Sequence, residues 1–429
     1  MDEKFLYHIW DEGHLQHDLS CISGKRLRII YQGQYNTARG PDFKNAIIEI
    51  GDEQKRGDIE IHLKTTDWQA HNHQEDIYYN NVVLHAVLQH NSTYPLTILE
   101  DGSAVEILSM EHQLSEEIQK LWQDLDESQK PAIYCDLLSA IDNDHLQVIL
   151  HQAGMRRFAA KLKRFNTALS LSSFDQILYE GIFEALGYNK NKLNTLYLAQ
   201  SLPLSLLKEY KAQGLSKTQL CAIYLCASGL LKRQSKIIDE VTNQRLWRDY
   251  EEQRWHGKRI AIDWQLFRIR PQNHPLKRLI YISDLIWENL EGGLTKAFIH
   301  PLDRDTDLYK EFCKIWTPKT LYPDMPPLNL GKSVQNNIYL NIFLPVLALW
   351  RQMMALDNEP VTKAYREFAP LQENYITRFM QRYLSASQIK LATSKAIYQQ
   401  GLMDIYHRFC NWHLCSECLA KHRSESRPL

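Results

Sequence analysis

One short stretch, GDIEIHLKTTDW at residues 57–68, sets Asp58, Glu60, His62 and Lys64 two residues apart. Successive side chains of a β-strand point to opposite faces, so these four share one face while Ile59, Ile61 and Leu63 share the other. Carboxylates bind hard divalent ions such as Mg²⁺ or Mn²⁺, and a neighbouring His or Lys can move a proton or neutralise a phosphate. A charged alternation of this kind is more commonly the solvated face of an antiparallel strand. Any chemistry therefore depends on what folds against it.

Two further groups of residues could bind metal. Histidine is dense early in the chain, at His8, His14, His17, His62, His71, His73, His85 and His90. Asp67, His71, His73 and His85 form an alternative metal set, since imidazole clusters suit zinc or manganese. Against it, His71-x-His73 lies in the polar DWQAHNHQED, which reads as an exposed loop, and His85 sits on an apolar strand as core histidines do. At the other end, FCNWHLCSECLAKHR spaces Cys410, Cys415 and Cys418 as C-x4-C-x2-C. The chain has 8 Cys, opens with MDEK and shows no early apolar run, which suggests a reducing, cytoplasmic setting where close thiols favour metal over disulfides. His413 or His422 would complete a local zinc site, whereas Cys21, Cys135 or Cys313 would tie the trio to a distant part of the fold.

Positioning these residues requires a sheet. Residues 46–50 read as a strand, 51–57 as a turn and 58–64 as its hairpin partner. A turn centred on Gln54 places Glu60 across from Ile48 and Asp42 across from Thr66 or Asp67, so Asp42 reaches Glu60 only through a bulge. Residues 24–35 read as a preceding strand, 2–10 as an amphipathic helix, 74–81 as a helix and 82–90 as a buried strand. After Ser109 the period changes to 3.6, as in residues 151–169 and 174–188. The most apolar run, residues 338–350, contains Asn341 and Pro345 and reads as a buried helix too short for a membrane span. The expected fold is α+β: an N-terminal α/β head of helix, three strands, helix and strand over residues 1–125, then a largely α-helical domain over 126–429 ending in the Cys cluster. The soft boundary falls at residues 126–132.

Charge is unevenly distributed. The net charge is −1, but residues 1–150 carry 11 Lys and Arg against 26 Asp and Glu, and residues 151–250 carry 15 against 7. An acidic head on a basic body fits a protein whose body grips a phosphate backbone. Arg157, Lys161 and Arg164 share one helix face at 3.6 spacing and form a basic outer stripe. RIRPQNHPLKR adds Arg268, Arg270, Lys277 and Arg278 in a proline-stiffened loop that contacts nucleic acid or connects helices.

With Pro41-Asp42 ahead of the second strand and Glu60-x-His62 on the third, the head resembles the PD-(D/E)XK nuclease superfamily core, a restriction-endonuclease-like fold. The resemblance implies Asp42 and Glu60 as ligands of Mg²⁺ or Mn²⁺ and Asp58 as an extra acid. It departs at the lysine position, held here by His62, with Lys64 on the same face to supply the charge. Some members also carry an iron-sulfur cluster on one early and three late Cys, which Cys21, Cys410, Cys415 and Cys418 imitate with different spacing. Over its length, through GPDFKNAIIEI, GDIEIHLKTTDW, YYNNVVLH, RIRPQNHP and the terminal Cys set, the chain resembles the bacterial family catalogued as domain of unknown function 2851. The expectation is a metal-dependent nuclease. Its alternatives are a nucleic-acid-binding scaffold with a decayed site and a His-rich zinc or manganese hydrolase of a small molecule.

Overall fold

The computed structural model describes residues 3–16, 18–36, 39–114, 135–232, 237–252, 260, 262–267, 269–304, 307–325, 327–412 and 418. The fold is α+β. The chain divides into two compact units, one formed by Met1–Ala153, Asn374–Ala392 and Gln400–Leu429, the other by Gly154–Glu373 and Thr393–Gln399.

The first unit is built on one eight-stranded mixed sheet. Helix α1 (Glu3–Glu12) precedes β1 (Leu19–Ser20), β2 (Arg26–Tyr31), β3 (Gln34–Tyr35), β4 (Phe43–Ile50) and β5 (Glu53–Lys64). A short helix α2 (Asp67–Ala70) and two 3₁₀ turns lead to β6 (Val82–Gln89), followed by β7 (Leu96–Ile98) and β8 (Ala104–Ser109). The sheet order is β1-β2-β4-β5-β6-β8-β7, with β3 paired to β4 off the main path. Strands β4 and β5 are antiparallel, β5 and β6 parallel. The expected early strand breaks in two at Gly33, whose φ of +94° suits glycine. The expected helix over residues 74–81 is only the two 3₁₀ turns, His73–Glu75 and Ile77–Tyr79.

The apolar face of β5 packs Ile59 and Ile61 into a core shared with Leu6, Ile9 and Trp10 of α1 and Phe43, Ile48 and Leu84 of the sheet. Burial of such side chains contributes about 1.5–3 kcal/mol each. The opposite face does not face water as the alternation alone suggests. Asp58, Glu60 and His62 are all buried, because β5 lies between two partners and the 67–80 segment covers it with a second cluster of Trp68, Tyr79, Val82, Leu99 and Val105.

The second unit is helical. Its helix Phe174–Leu186 is capped by Ser173, and Lys217–Ala227 opens with a Ser216–Gln219 capping box. The apolar run expected as a buried helix is buried, with a π turn at Tyr339–Phe343 leading into the helix Leu344–Met353. The basic outer stripe is corrected here. Arg164 and Lys192 both pair with buried Glu184, the Lys192 Nζ–Oε1 distance being 2.7 Å, and Lys161 donates to the Asn341 side-chain oxygen. Burial pushes the Glu184 carboxyl up, but Arg164 and Lys192 outweigh it and hold it down at about 2. Arg157 is half-buried beside Lys161. Arg164 and Lys192 answer a buried acid, so they turn inward.

The proline-rich stretch is corrected as well. Pro271–Asn273 is a 3₁₀ turn, and Pro275 opens the helix Pro275–Asn289, with His274 Nδ1 accepting from Leu276 N at 3.2 Å. Proline suits the first helical position because its missing N–H would have no partner there. Lys277 and Arg278 therefore lie on a helix, and Arg278 is buried, donating to the Leu186 carbonyl and to Asn273 Oδ1. Arg270 stays exposed. Arg268 lies outside the described residues.

Candidate functional site

The β4–β5 hairpin sets the site's register. Gly51, at φ +61°, and Asp52 make a two-residue turn, with Ile50 opposite Glu53, so β5 begins five residues before the expected Asp58. The pairing runs to Ala46 opposite Gly57 and then slips by one, placing Phe43 opposite Ile59. Asn45 absorbs the slip at φ +60°, a left-handed conformation that Asn tolerates better than most residues. A Cβ on Gly33 would lie 2.8 Å from the Lys44 carbonyl oxygen, so glycine permits β3 to approach the bulge. The bulge thus forms, and the turn lies nearer Ile50 than a Gln54 centre would put it. Both place Asp42 against Glu60 rather than against Thr66 or Asp67.

The contact is reciprocal. Asp42 N donates to Glu60 Oε2 at 3.1 Å, and Ile61 N donates to Asp42 Oδ2 at 2.9 Å. Tyr7 of α1 hydrogen-bonds the Asp42 carboxylate. Asp58 is engaged otherwise: Lys44 Nζ reaches its Oδ2 at 2.8 Å and Asn45 N its Oδ1 at 3.1 Å. Asp58 therefore braces the bulge. Lys64 is exposed at the strand end, where its N–H donates to Asp67 Oδ2 at 2.8 Å. Lys64 and Asp67 make a turn and do not join the histidines.

The histidines converge on Glu60. His73 Nε2 lies 3.1 Å and His62 Nε2 3.4 Å from Glu60 Oε1, and His62 Nε2 lies 3.1 Å from His71 Nδ1. His62, His71 and His73 can each present one nitrogen within 4.8 Å of the others'. The rings are held from outside. His73 stacks on Tyr79 at 3.8 Å between centroids, and fully buried Trp68 sets its edge or face against His62, His73 and His85. His71 is exposed, as a loop residue should be, but His73 is buried. His85 is a core histidine that also braces the cluster, since its Nε2 meets His62 Nδ1 at 2.9 Å and its Nδ1 meets Thr97 Oγ1 at 2.8 Å. His90 pairs with Thr65 Oγ1 at 2.9 Å instead.

Burial dominates the electrostatics. It raises the Asp42 carboxyl to about 8, aided by the Glu60 charge, and raises Glu60 to about 8 against the pull of the Asp42 N–H. Burial and the neighbouring imidazoles lower His62 to about 2 and His85 to about 3, and burial lowers His73. At neutral pH the imidazoles of His62, His73 and His85 are held in their uncharged form, while burial favours the protonated form of the two acids. Neutral imidazole is the metal-binding form, and a carboxyl titrating near neutrality can exchange protons with a bound water.

Tyr7, Lys44, Trp68, Tyr79 and Thr97 escaped the reading from sequence. Lys44 carried a signal, lying two residues beyond Asp42; the others resemble ordinary core positions. Among the C-terminal candidates, Cys418 is buried and Cys410 half-buried, while His413, Cys415 and His422 lie outside the described residues. Cys21 is buried in the α1–sheet core, its thiol pushed up to about 12 by burial and Glu106. Cys135 is half-buried, and Cys313 Sγ lies 3.1 Å from Lys332 Nζ. The metal-competent cluster among the described residues contains no cysteine.

Fold and site together define an α+β protein carrying a buried carboxylate–histidine cluster on the central strand of a mixed sheet. The chain belongs to the family described as protein of unknown function DUF2851, whose model matches residues 3–374. Neither the curated proteins nor the solved structures contain a match to it. No helix among the described residues is long and apolar enough to cross a membrane.

Proposed function

We propose that this protein is a metal-dependent phosphodiesterase of nucleic acid, with its catalytic centre at Glu60. The observation that carries this reading is the β4 bulge that seats Asp42 on Glu60, with His62 two residues further along and a parallel strand next to β5. A divalent ion there, Mg²⁺ or Mn²⁺, would neutralise the phosphate and acidify a water. Asp42 N holds Glu60 Oε2, which turns Oε1 toward the histidines and any water among them. In its ionised form, which a nearby cation would favour, Glu60 takes that water's proton as the water oxygen bonds to phosphorus, and Asp42, bonded to Tyr7 and Ile61 N, keeps a proton for the ester oxygen that leaves. Lys44 is committed to Asp58 and His62 is neutral, so the positive charge on the phosphate must come from the ion. Among the described cations of residues 268–278, exposed Arg270 and half-buried Lys277 remain available to a nucleic-acid backbone.

The test is cleavage of single-stranded DNA, duplex DNA and RNA by the full chain with Mg²⁺ or Mn²⁺, beside Glu60→Ala. Cleavage abolished by that substitution is expected. Cleavage unchanged by it overturns the assignment, and binding without cleavage favours a scaffold. The three imidazoles favour a second reading, a zinc or manganese hydrolase of a small molecule; hydrolysis of small esters but not of polynucleotides, lost in His73→Ala, would select it.

A further inference from the structure

We propose that His62, His71 and His73 form a transition-metal site selective for Zn²⁺ or Mn²⁺ over Mg²⁺, with Glu60 as the adjoining carboxylate and His85–Thr97 as its orienting relay. This deepens the phosphodiesterase reading and rests on it for the role of the ion, though not for the ion's binding.

The first support is the direction of the donor atoms. Buried His73 Nε2 lies 3.1 Å from Glu60 Oε1, yet makes no hydrogen bond among the described residues. Two polar atoms at that separation without a proton aligned between them are expected where both face a common point. Ligands about 2.0–2.1 Å from a tetrahedral ion lie about 3.3–3.4 Å from one another. The 3.1 Å separation of His62 Nε2 and His71 Nδ1 falls close to that value, and Glu60 Oε1 lies alongside, 3.1 Å from His73 Nε2 and 3.4 Å from His62 Nε2.

The second support is the relay behind His62. In the tautomer in which His62 Nδ1 donates to His85 Nε2 and His85 Nδ1 to Thr97 Oγ1, His62 Nε2 is unprotonated and faces His71 Nδ1 and Glu60 Oε1. Ligating histidines characteristically spend their second nitrogen on such a partner, which fixes ring and tautomer. His85 and Thr97 are buried, so the relay is shielded from water.

The donor chemistry then selects the metal class. Imidazole suits zinc and manganese, whereas Mg²⁺ prefers oxygen ligands and retains its waters. With three imidazoles as the ligands and the Glu60 carboxylate beside the ion rather than on it, a tetrahedral site leaves its fourth position to water or substrate. His71 is exposed and lies on the accessible side, so the ion can enter without unfolding the sheet.

The experiment is titration of the full, metal-stripped chain with Zn²⁺ and Co²⁺, followed by metal content after dialysis, the visible Co²⁺ spectrum and the unfolding midpoint, with Mg²⁺ as competitor. The expected result is a Co²⁺ spectrum free of thiolate charge-transfer absorption, which separates this site from the C-terminal cysteines. Excess Mg²⁺ should not displace the ion. His71→Ala, at an exposed position that leaves the fold intact, and His73→Gln should each weaken binding by more than about tenfold, and Thr97→Val by about tenfold with the ligands unchanged. Ready displacement by Mg²⁺, or Zn²⁺ affinity unaffected in both His71→Ala and His73→Gln, overturns the site. Metal bound as expected without polynucleotide cleavage sinks the phosphodiesterase reading alone. Cleavage supported by Mg²⁺ and untouched by His71→Ala sinks the transition-metal site alone.

Discussion

Replacing Glu60 by Gln isolates the cost of the buried acid pair. Gln keeps an oxygen to accept from Asp42 N and removes the titrating group. In the wild type, burial raises Glu60 from 4.5 to about 8, so the folded protein holds a proton that the unfolded chain releases. Stability is then fully present below pH 4.5 and is lost as the pH rises toward 8, at up to about 1.4 kcal/mol per pH unit for one proton. Over that window the ceiling is about 5 kcal/mol, and water penetration on ionisation reduces it to about 2–5 kcal/mol. The histidines act with the opposite sign. His62, His73 and His85 are depressed below 6.5, so their contribution is present above that pH and lost as the pH falls. They are common to both proteins and cancel in the difference. Denaturant unfolding of chelator-treated wild type and Glu60→Gln at pH 5, 7 and 9 should therefore give curves that lie close together at pH 5 and diverge by pH 9, with the variant more stable. A constant difference across pH, or a wild type that gains on the variant in alkali, would show that Glu60 is not a proton-holding buried acid.

Three other outcomes follow from local geometry. A Cβ on Gly57 would lie 2.3 Å from Val83 Cγ1 and 2.6 Å from the Asn81 carbonyl oxygen, so Gly57→Ala should cost about 1–3 kcal/mol or more and loosen β5 from β6, read by urea midpoint and by amide exchange in β6. Asn45→Val should cost about 1–2 kcal/mol through its left-handed φ and abolish any Glu60-dependent activity, while Asn45→Gly keeps both. In the helical unit, Glu184→Ala leaves Arg164 and Lys192 without their shared acid and should destabilise by about 3–5 kcal/mol, whereas Ala at exposed Lys163 should change stability by less than about 0.5 kcal/mol in the same thermal assay.

Alternation along residues 58–64 was legible in the sequence because side-chain direction in a strand follows from the local backbone. That local rule placed Glu60 and His62 on one face and Ile59 and Ile61 on the other, and the shift to a 3.6 period marked the helical body. The same reading put Arg164 and Lys161 on a solvated stripe, since helical spacing reports which residues share a face and not what that face meets. Only the second unit's packing, which brings Glu184 and Asn341 to them, could decide that. Proline at 275 was visible too, but whether it breaks a helix or starts one depends on which neighbouring N–H groups need partners.

The candidate site divides along the same line. Sequence alone determined the kinds of donor available, two acids and a run of histidines, and the strand that presents Glu60 with His62. It posed the Asp42–Glu60 acids and the histidines as rival sites because their separation along the chain, from Asp42 to His85, hides their distance in space. Tertiary structure decided that they meet. A one-residue bulge at Asn45 shifts Asp42 onto Glu60, and the crossover between parallel strands folds His71 and His73 back over the face that β5 already presents. Register and crossover path are set by pairing among distant segments, and the burial that shifts these carboxyls and imidazoles exists only once those segments have closed over them.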